Sequence, residues 1–450
     1  MQQSDIGKGR IIGYGIGDFG FNLFYTGLNL YLLYYYTDIL RIRPEIAGLI
    51  FMVPVIWDGI TDPLMGWLAS RTRTRWGRYR PYILFGAPIM ALSYVAMFAA
   101  PLLFPGAIVL ACALSHILFR TAYTIVSIPY TALSAAMTTN SGTRSSLAGV
   151  RMLAAILGGL FTAFVTLALA ARIGGDNIAA GFVGVAWIYA GFVFFLMLIV
   201  FFATAEPKHA GIPTPSLTTA ETARFLRSNQ AFWILFLAIF AGSLGNSIGQ
   251  KALVYYVAYI VGDPDAVGII LTATLGSAAL SVPLWTFLAR QHSKRTVWLI
   301  ASSGSAAIAL AQLLIGPTTV DALLPFQVVG GIFVGGFAVI FWAMLPDTVE
   351  FGEWHSGVRD EGIAFGLNQF ALKAASGLGV GLLGLALGAI GYEAGSTQGE
   401  GTQFGIRLIT FGAPLSMGCI ALLAISFYPV SKDMHARLVR GLKWRALRRS

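Results

Sequence analysis

Residues 46–70 read IAGLIFMVPVIWDGITDPLMGWLAS, and they decide the fold. The run is apolar for longer than the ~20 residues a helix needs to cross a hydrocarbon core of about 30 Å. Its ionisable groups are two carboxylates, Asp58 and Asp62, four residues apart. A strongly basic stretch, RTRTRWGRYR at 71–80, follows directly. Apolar runs of similar length recur at about 11–37, 81–101, 106–136, 147–172, 180–205, 231–260, 266–289, 296–316, 321–345, 362–391 and 403–429. With 46–70 they predict an all-α membrane protein of twelve transmembrane helices. Composition agrees: 56% of residues are hydrophobic and 11% charged, against about 25% charged in a soluble domain.

The net charge of +10 would suit a nucleic-acid binder, but the charges follow the membrane. With a cytoplasmic N-terminus, the outer segments hold Arg41, Arg43, Arg172 and Arg407. Arg120, Arg151, Lys251 and Lys373 lie within spans, and the other Lys and Arg fall inside. This positive-inside bias predicts a multi-pass protein of a bacterial inner membrane with both termini cytoplasmic. The tail RLVRGLKWRALRRS at 437–450 reads as a surface for anionic lipid headgroups rather than nucleic acid. The start, MQQSDIGKGR, leads into a long span without signal-peptide architecture. Cys112 and Cys419 fall within spans, so no disulfide framework is expected.

The longest polar break, 206–230, follows the sixth span. It carries Pro207, Pro213 and Pro215, then Thr218-Thr219-Ala220-Glu221, a capping-box pattern that starts a short surface helix. It divides the chain into an N-terminal six-helix half (1–205), a cytoplasmic linker (206–230), a C-terminal six-helix half (231–430) and a basic cytoplasmic tail (431–450). The halves repeat weakly. YLLYYYTDIL at the end of the first span matches LVYYVAYIVGD at the end of the seventh, and DPLMGWLAS matches VPLWTFLARQ before a basic loop. Two six-helix halves with a site between them near the midplane form a common transporter plan.

An ionisable side chain within a span costs ~2.5–3.5 kcal/mol or more, so it faces a cavity or a partner and marks function. Asp18, Asp58 and Asp62 are the acids, against the four bases named above. At ~1.5 Å rise per residue, Asp18, Asn22, Asp58, Asp62 and Lys373 all fall near the midplane. Asp18, Asn22, Tyr25 or Thr26, and Asn29 form one stripe of their helix. Asp58 and Asp62, at i and i+4, point the same way. Two carboxylates so close take up a proton, bind a cation or pair with a base such as Lys373. Thr61 and Thr124 offer hydroxyl oxygens to a small cation. Ser127, Thr131, Ser134 and Ser376 serve helix packing or cavity lining, while the bulkier Asn368 and Gln369 beside Lys373 point to a cavity. Lys251 lines the cavity or snorkels outward.

Taken together, GYGIGDFG at 13–20, YYYTD at 34–38, WDGITDPLMGW at 57–67, RTRTRWGRYRP at 71–81, YTIVSIPY at 123–130, PDTVEFGEW at 346–354 and the lysine helix at 368–373 resemble the glycoside–pentoside–hexuronide:cation symporters. These form a branch of the major facilitator superfamily. The resemblance covers nearly the whole chain. It implies a major-facilitator fold in two six-helix halves, a monomer, a small-molecule sugar or glycoside as substrate, and symport by alternating access. It implies no cofactor beyond a coupling ion, H⁺ or Na⁺. Asp58 and Asp62 match the family's cation aspartates, and they would ligate a metal if the ion is Na⁺. Thr124 matches a cation-site threonine, Lys373 an intramembrane lysine and Arg151 a sugar-contacting arginine. Asn368 and Gln369 fall where sugar-contacting polar residues lie. One departure bears on coupling: an aspartate that serves both sugar and cation in the melibiose carrier is Asn22 here, with Asp18 one turn earlier. The missing carboxylate tilts the expected ion toward H⁺. Ser127 and Thr131 replace that carrier's sugar-binding aspartate and tryptophan, so its sugar specificity does not transfer.

Asp18, Asn22, Arg151, Asn368, Gln369 and Lys373 are thus the candidate sugar contacts, and Trp342 offers either a flat face to a sugar ring or ordinary packing. Four intramembrane bases against three acids suit an anionic sugar, while a neutral glycoside or pentoside stays open. Arg71, Arg73, Arg75, Arg78, Arg290 and Arg295 stand opposite Asp347, Glu350 and Glu353 as inner-gate ion pairs or as topology charges. The alternative on the same fold is a proton-coupled antiporter of a non-sugar substrate. An enzyme is not expected: the five histidines are scattered, and Gly13, Gly15 and Gly17 follow no strand and so suit close helix packing rather than a nucleotide.

Overall fold

The computed structural model describes residues 7–137, 141–206 and 218–447. Pro207, Pro213 and Pro215 lie outside the described residues. In chain order the helices are α1 (Lys8–Gly15), α2 (Gly17–Tyr34), α3 (Pro44–Arg71), α4 (Arg80–Leu103), α5 (Ile108–Met137), α6 (Ser141–Gly174), α7 (Ile178–Ala203), α8 (Thr219–Arg227), α9 (Gln230–Tyr256), α10 (Ala266–Gln291), α11 (Lys294–Ile315), α12 (Val320–Ser356), α13 (Glu361–Ala389), α14 (Glu400–Arg407), α15 (Ala413–Ser426) and α16 (Lys432–Leu447). Among the described residues, eleven helical lengths are long and apolar enough to cross a membrane, α14 and α15 counting as one through the π turn Leu408–Gly412. The first of the twelve predicted spans is helical too, as α1, α2 and the π turn Tyr35–Ile39. Asp18, Asn22, Asn29 and its tyrosines dilute its apolar character.

The described residues up to 206, with Gly384–Thr397, form one compact unit, and 218–383 with 398–447 form another. In the first unit α2 packs on α6, α4 on α5 and α7, and α3 on α5. The α1–α2 glycines permit close approach, as their spacing suggested: a Cβ on Gly17 would stand 2.7 Å from the Tyr130 ring. The end of α13 joins this unit through Tyr392, whose hydroxyl donates to buried Asp38 Oδ1 at 2.6 Å. The basic loop 72–79 is held from beyond α7. Glu206 Oε2 accepts the amide of Arg78 at 2.7 Å, and Oε1 accepts those of Tyr79 and Arg80 at 2.8 and 3.0 Å. Gly77, at φ 109°, leaves room for that carboxylate, which a Cβ would meet at 2.6 Å.

In the second unit α12 packs on α10 and α11, and α9 on α15. Asn229 caps α9 by accepting the amide of Phe232 at 3.0 Å and ties it to α12 by donating to the Thr348 carbonyl at 2.8 Å. The capping box foreseen at Thr218–Glu221 is present and starts α8. The Thr218 amide and hydroxyl both donate to Glu221 and hold its carboxyl below the ordinary carboxylate range.

The repeat has a structural counterpart. The first predicted span ends in the π turn Tyr35–Ile39 and the seventh in the π turn Val257–Val261. Beside them Tyr35 donates to the Phe98 carbonyl at 2.7 Å and Tyr256 to the Pro317 carbonyl at 2.9 Å. Two boundaries differ from expectation. α12 runs on to Ser356 through Pro346, because the helix continues past a proline whose missing N–H costs it one bond. The basic tail is helical, and one side of it docks on α12: Leu438 is buried, and His435 Nε2 lies 2.6 Å from Glu350 Oε2 and 3.3 Å from Asp347 Oδ1. Arg437, Arg440 and Trp444 stay exposed on the other side, the basic face foreseen for headgroups.

Candidate functional site

α3 and α5 meet in a ladder of polar rungs. Arg120 Nη1 lies 2.9 Å from Asp58 Oδ2, with the two side chains 7% and 4% exposed. One turn on, Thr124 Oγ1 donates to Asp62 Oδ1 at 2.8 Å. Trp57 Nε1 adds a bond to Thr121 Oγ1 at 2.8 Å. Each helix presents its pair at i and i+4, and both pairings span the same sequence distance, so the two helices run parallel where they meet. Asp62 and Thr124 are brought together as the sequence suggested. Thr61 instead spends its hydroxyl on the Trp57 carbonyl of its own helix, at 3.1 Å. Sequence reasoning offered Lys373 as the base for this pair; within its own unit, the base at Asp58 is Arg120.

A second site lies between α2, α5 and α6. Arg151 grips Asp18 with two bonds, Nε to Oδ2 at 2.6 Å and Nη2 to Oδ1 at 3.2 Å. Tyr130 donates to Asp18 Oδ2 at 2.6 Å or to the Tyr14 carbonyl at 2.8 Å. The Tyr14 and Tyr130 rings stack with centroids 4.6 Å apart, and the guanidinium lies 5.7 and 5.2 Å from them. Asp18, Tyr130 and Arg151 of this network line a cavity of about 180 Å³, which Phe21, Asn22, Tyr25, Tyr123, Ser127 and Thr131 complete. Whole-ligand sites run to roughly 300–1,000 Å³, so the space suits part of a ligand. Asn22, proposed for both sugar and cation, lies here, donating to the Asp18 carbonyl at 2.8 Å. The open alternative for Ser127 and Thr131 resolves to cavity lining.

The other candidates belong to the second unit. Asn368 is 1% exposed, and neither polar atom of its amide has a hydrogen-bond partner among the described residues. Gln369 is exposed and Lys373 half-buried on the same helix. Trp342 is 39% exposed, its ring 4.7 Å from that of Phe341. Lys251 does not snorkel: it is 5% exposed and donates to Ser247 Oγ at 2.9 Å, which in turn donates to the Ser376 carbonyl at 3.1 Å. Asp347, a suggested gate acid, is held by Lys294 at 2.6 Å, and Glu353 by Arg359 at 2.8 Å. Arg71 and Arg75 lie over Trp67 and Trp76 at 4.3 and 4.2 Å.

Sequence reasoning missed the roles of Arg120, Tyr14 and Tyr130. The signal for Arg120 was present, a base four residues before Thr124, matching the spacing of the two aspartates.

Over residues 13–432 the chain matches the model of a family described as MFS/sugar transport protein. It is 32% identical over 436 residues to the inner membrane symporter YicJ of Escherichia coli (strain K12), covering 96% of this chain and 92% of that one. It is 29% identical over 428 residues to the isoprimeverose transporter of Lactiplantibacillus pentosus, covering 93% and 88%. Among solved structures, a bacterial homolog to the human lysosomal transporter Spinster, inward-facing and unoccupied, superposes with a TM-score of 0.70 at 13% identity, covering 95% and 96%. That likeness is one of fold, and it agrees with the all-helical, major-facilitator-type architecture expected from the sequence.

Proposed function

The chain belongs to the MFS/sugar transport protein family, in its glycoside–pentoside–hexuronide:cation symporter branch, and from that premise we propose that it imports a sugar by symport with H⁺ or Na⁺ through alternating access. It is a multi-pass membrane transporter and not an enzyme. The observation that carries the coupling is the α3–α5 ladder, which sets two carboxylates and a threonine hydroxyl within apolar helices. A carboxylate in such surroundings costs least when neutralised, so binding a cation there changes which conformation is favoured. One charge moved across 100 mV supplies ~2.3 kcal/mol, enough to drive accumulation.

Asp18, Arg151 and Asn22 supply donors and acceptors to sugar hydroxyls in the first-unit cavity, with Phe21, Tyr123 and Tyr130 as its aromatic lining. Within the second unit Asn368 is the strongest candidate for a polar ligand contact, since a buried amide without partners is costly until a ligand meets it. Gln369, Lys373 and Trp342 are further candidates. The protein sits in a bacterial inner membrane with both termini cytoplasmic, as the positive-inside bias supports.

The test is uptake of labelled isoprimeverose, xylosides and glucuronides into vesicles under imposed H⁺ or Na⁺ gradients, with wild type and Asp62→Asn. Wild type should accumulate one of them, and the variant should only equilibrate it. Undiminished gradient-driven accumulation by Asp62→Asn would refute the coupling role.

A further inference from the structure

We propose that the stretch 71–80 is a binding site for the phosphate of an anionic phospholipid, built from arginines held on a rigid turn. The inference is independent of the sugar reading and rests on the loop joining two membrane-crossing helices.

Those helices carry the membrane-crossing lengths Pro44–Ala69 and Arg80–Leu103. So short a connection between them stays at the level of the lipid headgroups. Positive-inside topology requires charge there and no particular geometry. The loop nevertheless has a fixed geometry. Thr74 Oγ1 accepts the Trp76 amide at 3.2 Å and donates to the Gly77 carbonyl at 2.8 Å, while the Thr74 carbonyl accepts the Gly77 amide at 3.1 Å. The Glu206 carboxylate then takes the next three amides, those of Arg78, Tyr79 and Arg80. Topology charge alone does not account for a frame tied at both ends.

The stretch holds five arginines. One of them, Arg80, is engaged by the fold: its Nη2 donates to the Phe201 carbonyl at 2.8 Å, and its guanidinium lies 4.5 Å over the Phe201 ring. Among the described residues, Arg71, Arg73, Arg75 and Arg78 pair with no carboxylate. The first three are exposed. Arg71 and Arg75 rest on the indoles of Trp67 and Trp76. A guanidinium lying over a ring keeps its N–H donors at its edge, where they can meet an anion. That planar fork matches a phosphate, which a lysine meets only as a point charge.

The surroundings favour a lipid over free phosphate. The Trp76 ring lies 5.7 Å from that of Phe85, which is 56% exposed on α4. The basic turn therefore runs directly into exposed apolar surface of a membrane-crossing helix. A phospholipid needs both, a cationic seat for its phosphate and an apolar one for its chains. A free anion makes no use of the second.

The test uses the full chain in nanodiscs of phosphatidylcholine containing a minor fraction of phosphatidylglycerol. Native mass spectrometry then counts the lipids that stay on the released protein. Wild type should retain phosphatidylglycerol well above its share. Arg73→Lys/Arg75→Lys/Arg78→Lys preserves the charge, and with it the topology, but loses the forks. It should retain phosphatidylglycerol about tenfold less, equivalent to one charge-assisted hydrogen bond. Glu206→Ala keeps every arginine and makes the loop region more positive, yet loosens the frame. It should also retain less, whereas a loop acting through charge alone would retain more. Wild-type retention in the lysine variant, or increased retention in Glu206→Ala, overturns the proposal. So does loss of phosphatidylglycerol on adding inorganic phosphate beyond the loss in chloride of equal ionic strength, which marks a free-anion site. Should Glu206→Ala not fold, the lysine variant decides. The basic tail is identical in all these proteins, so its own lipid contacts cancel from the comparison.

Discussion

Removing the Asp18 carboxylate probes the first-unit cavity most directly. In Asp18→Asn, Arg151 loses the charge it grips at 2.6 and 3.2 Å, and Tyr130 loses a charged acceptor at 2.6 Å. Breaking a fully buried ion pair by removing one partner costs ~3–5 kcal/mol. An exposed pair contributes ~0–1 kcal/mol. This pair lies between, with Arg151 24% and Asp18 14% exposed, so solvent screens part of the interaction. The expected coupling between the two side chains is therefore ~2 kcal/mol. A double-mutant cycle isolates it: Asp18→Asn, Arg151→Met and the double variant, unfolded reversibly by SDS titration in mixed micelles. Each single variant should lose more stability than the second substitution adds in the background of the first. A coupling below ~0.5 kcal/mol, the scatter of independent sites, would refute the bidentate grip.

Two further outcomes follow from local geometry. Gly17→Ala sets a Cβ against the Tyr130 ring, which its hydroxyl bonds pin in place, and should lower stability by ~1–3 kcal/mol as overpacking does; Gly9→Ala, with nothing within 4 Å of its Cβ, is the control in thermal denaturation. The capping box of α8 should respond to acid: with the Glu221 carboxyl below its ordinary range, the cap contributes fully above the ordinary carboxylate value and is lost as pH falls through the depressed one. Amide exchange of 219–227 followed by mass spectrometry should show that loss of protection, and Glu221→Gln should remove the pH dependence.

Membrane-crossing segments were legible because hydrophobicity over a window is a local property, and the α8 cap was legible because its two partners are three residues apart. The length of α12 was not, since PDTVEFGEW looks polar enough to end a span, yet the second unit continues the helix to Ser356. At the site, spacing alone put Asp58 and Asp62 on one face, and the family resemblance supplied Thr124. Arg120 was visible as an anomaly in lipid but without a partner, because pairing between helices depends on how each is rotated about its axis, which hydropathy does not encode. Asp18 was named as a sugar contact from its depth and Arg151 from the family resemblance, and neither signal shows that the two side chains hold each other. Thr61, one residue from Asp62, turned out to bond its own helix.

The carboxylate of Glu206 also sets a clock for biogenesis. It completes the start of α4 by accepting the amides of Arg78, Tyr79 and Arg80, yet it leaves the ribosome 126 residues after Arg80. At ~5–20 residues per second of synthesis, those amides wait roughly 6–25 s for their partner. Throughout that interval the basic loop keeps its full positive charge, un-neutralised by Glu206, while the hairpins around it are being threaded. Only when the sixth long helix has followed does the clamp close, so the same contact that fastens the first unit is barred by chain order from interfering with its insertion.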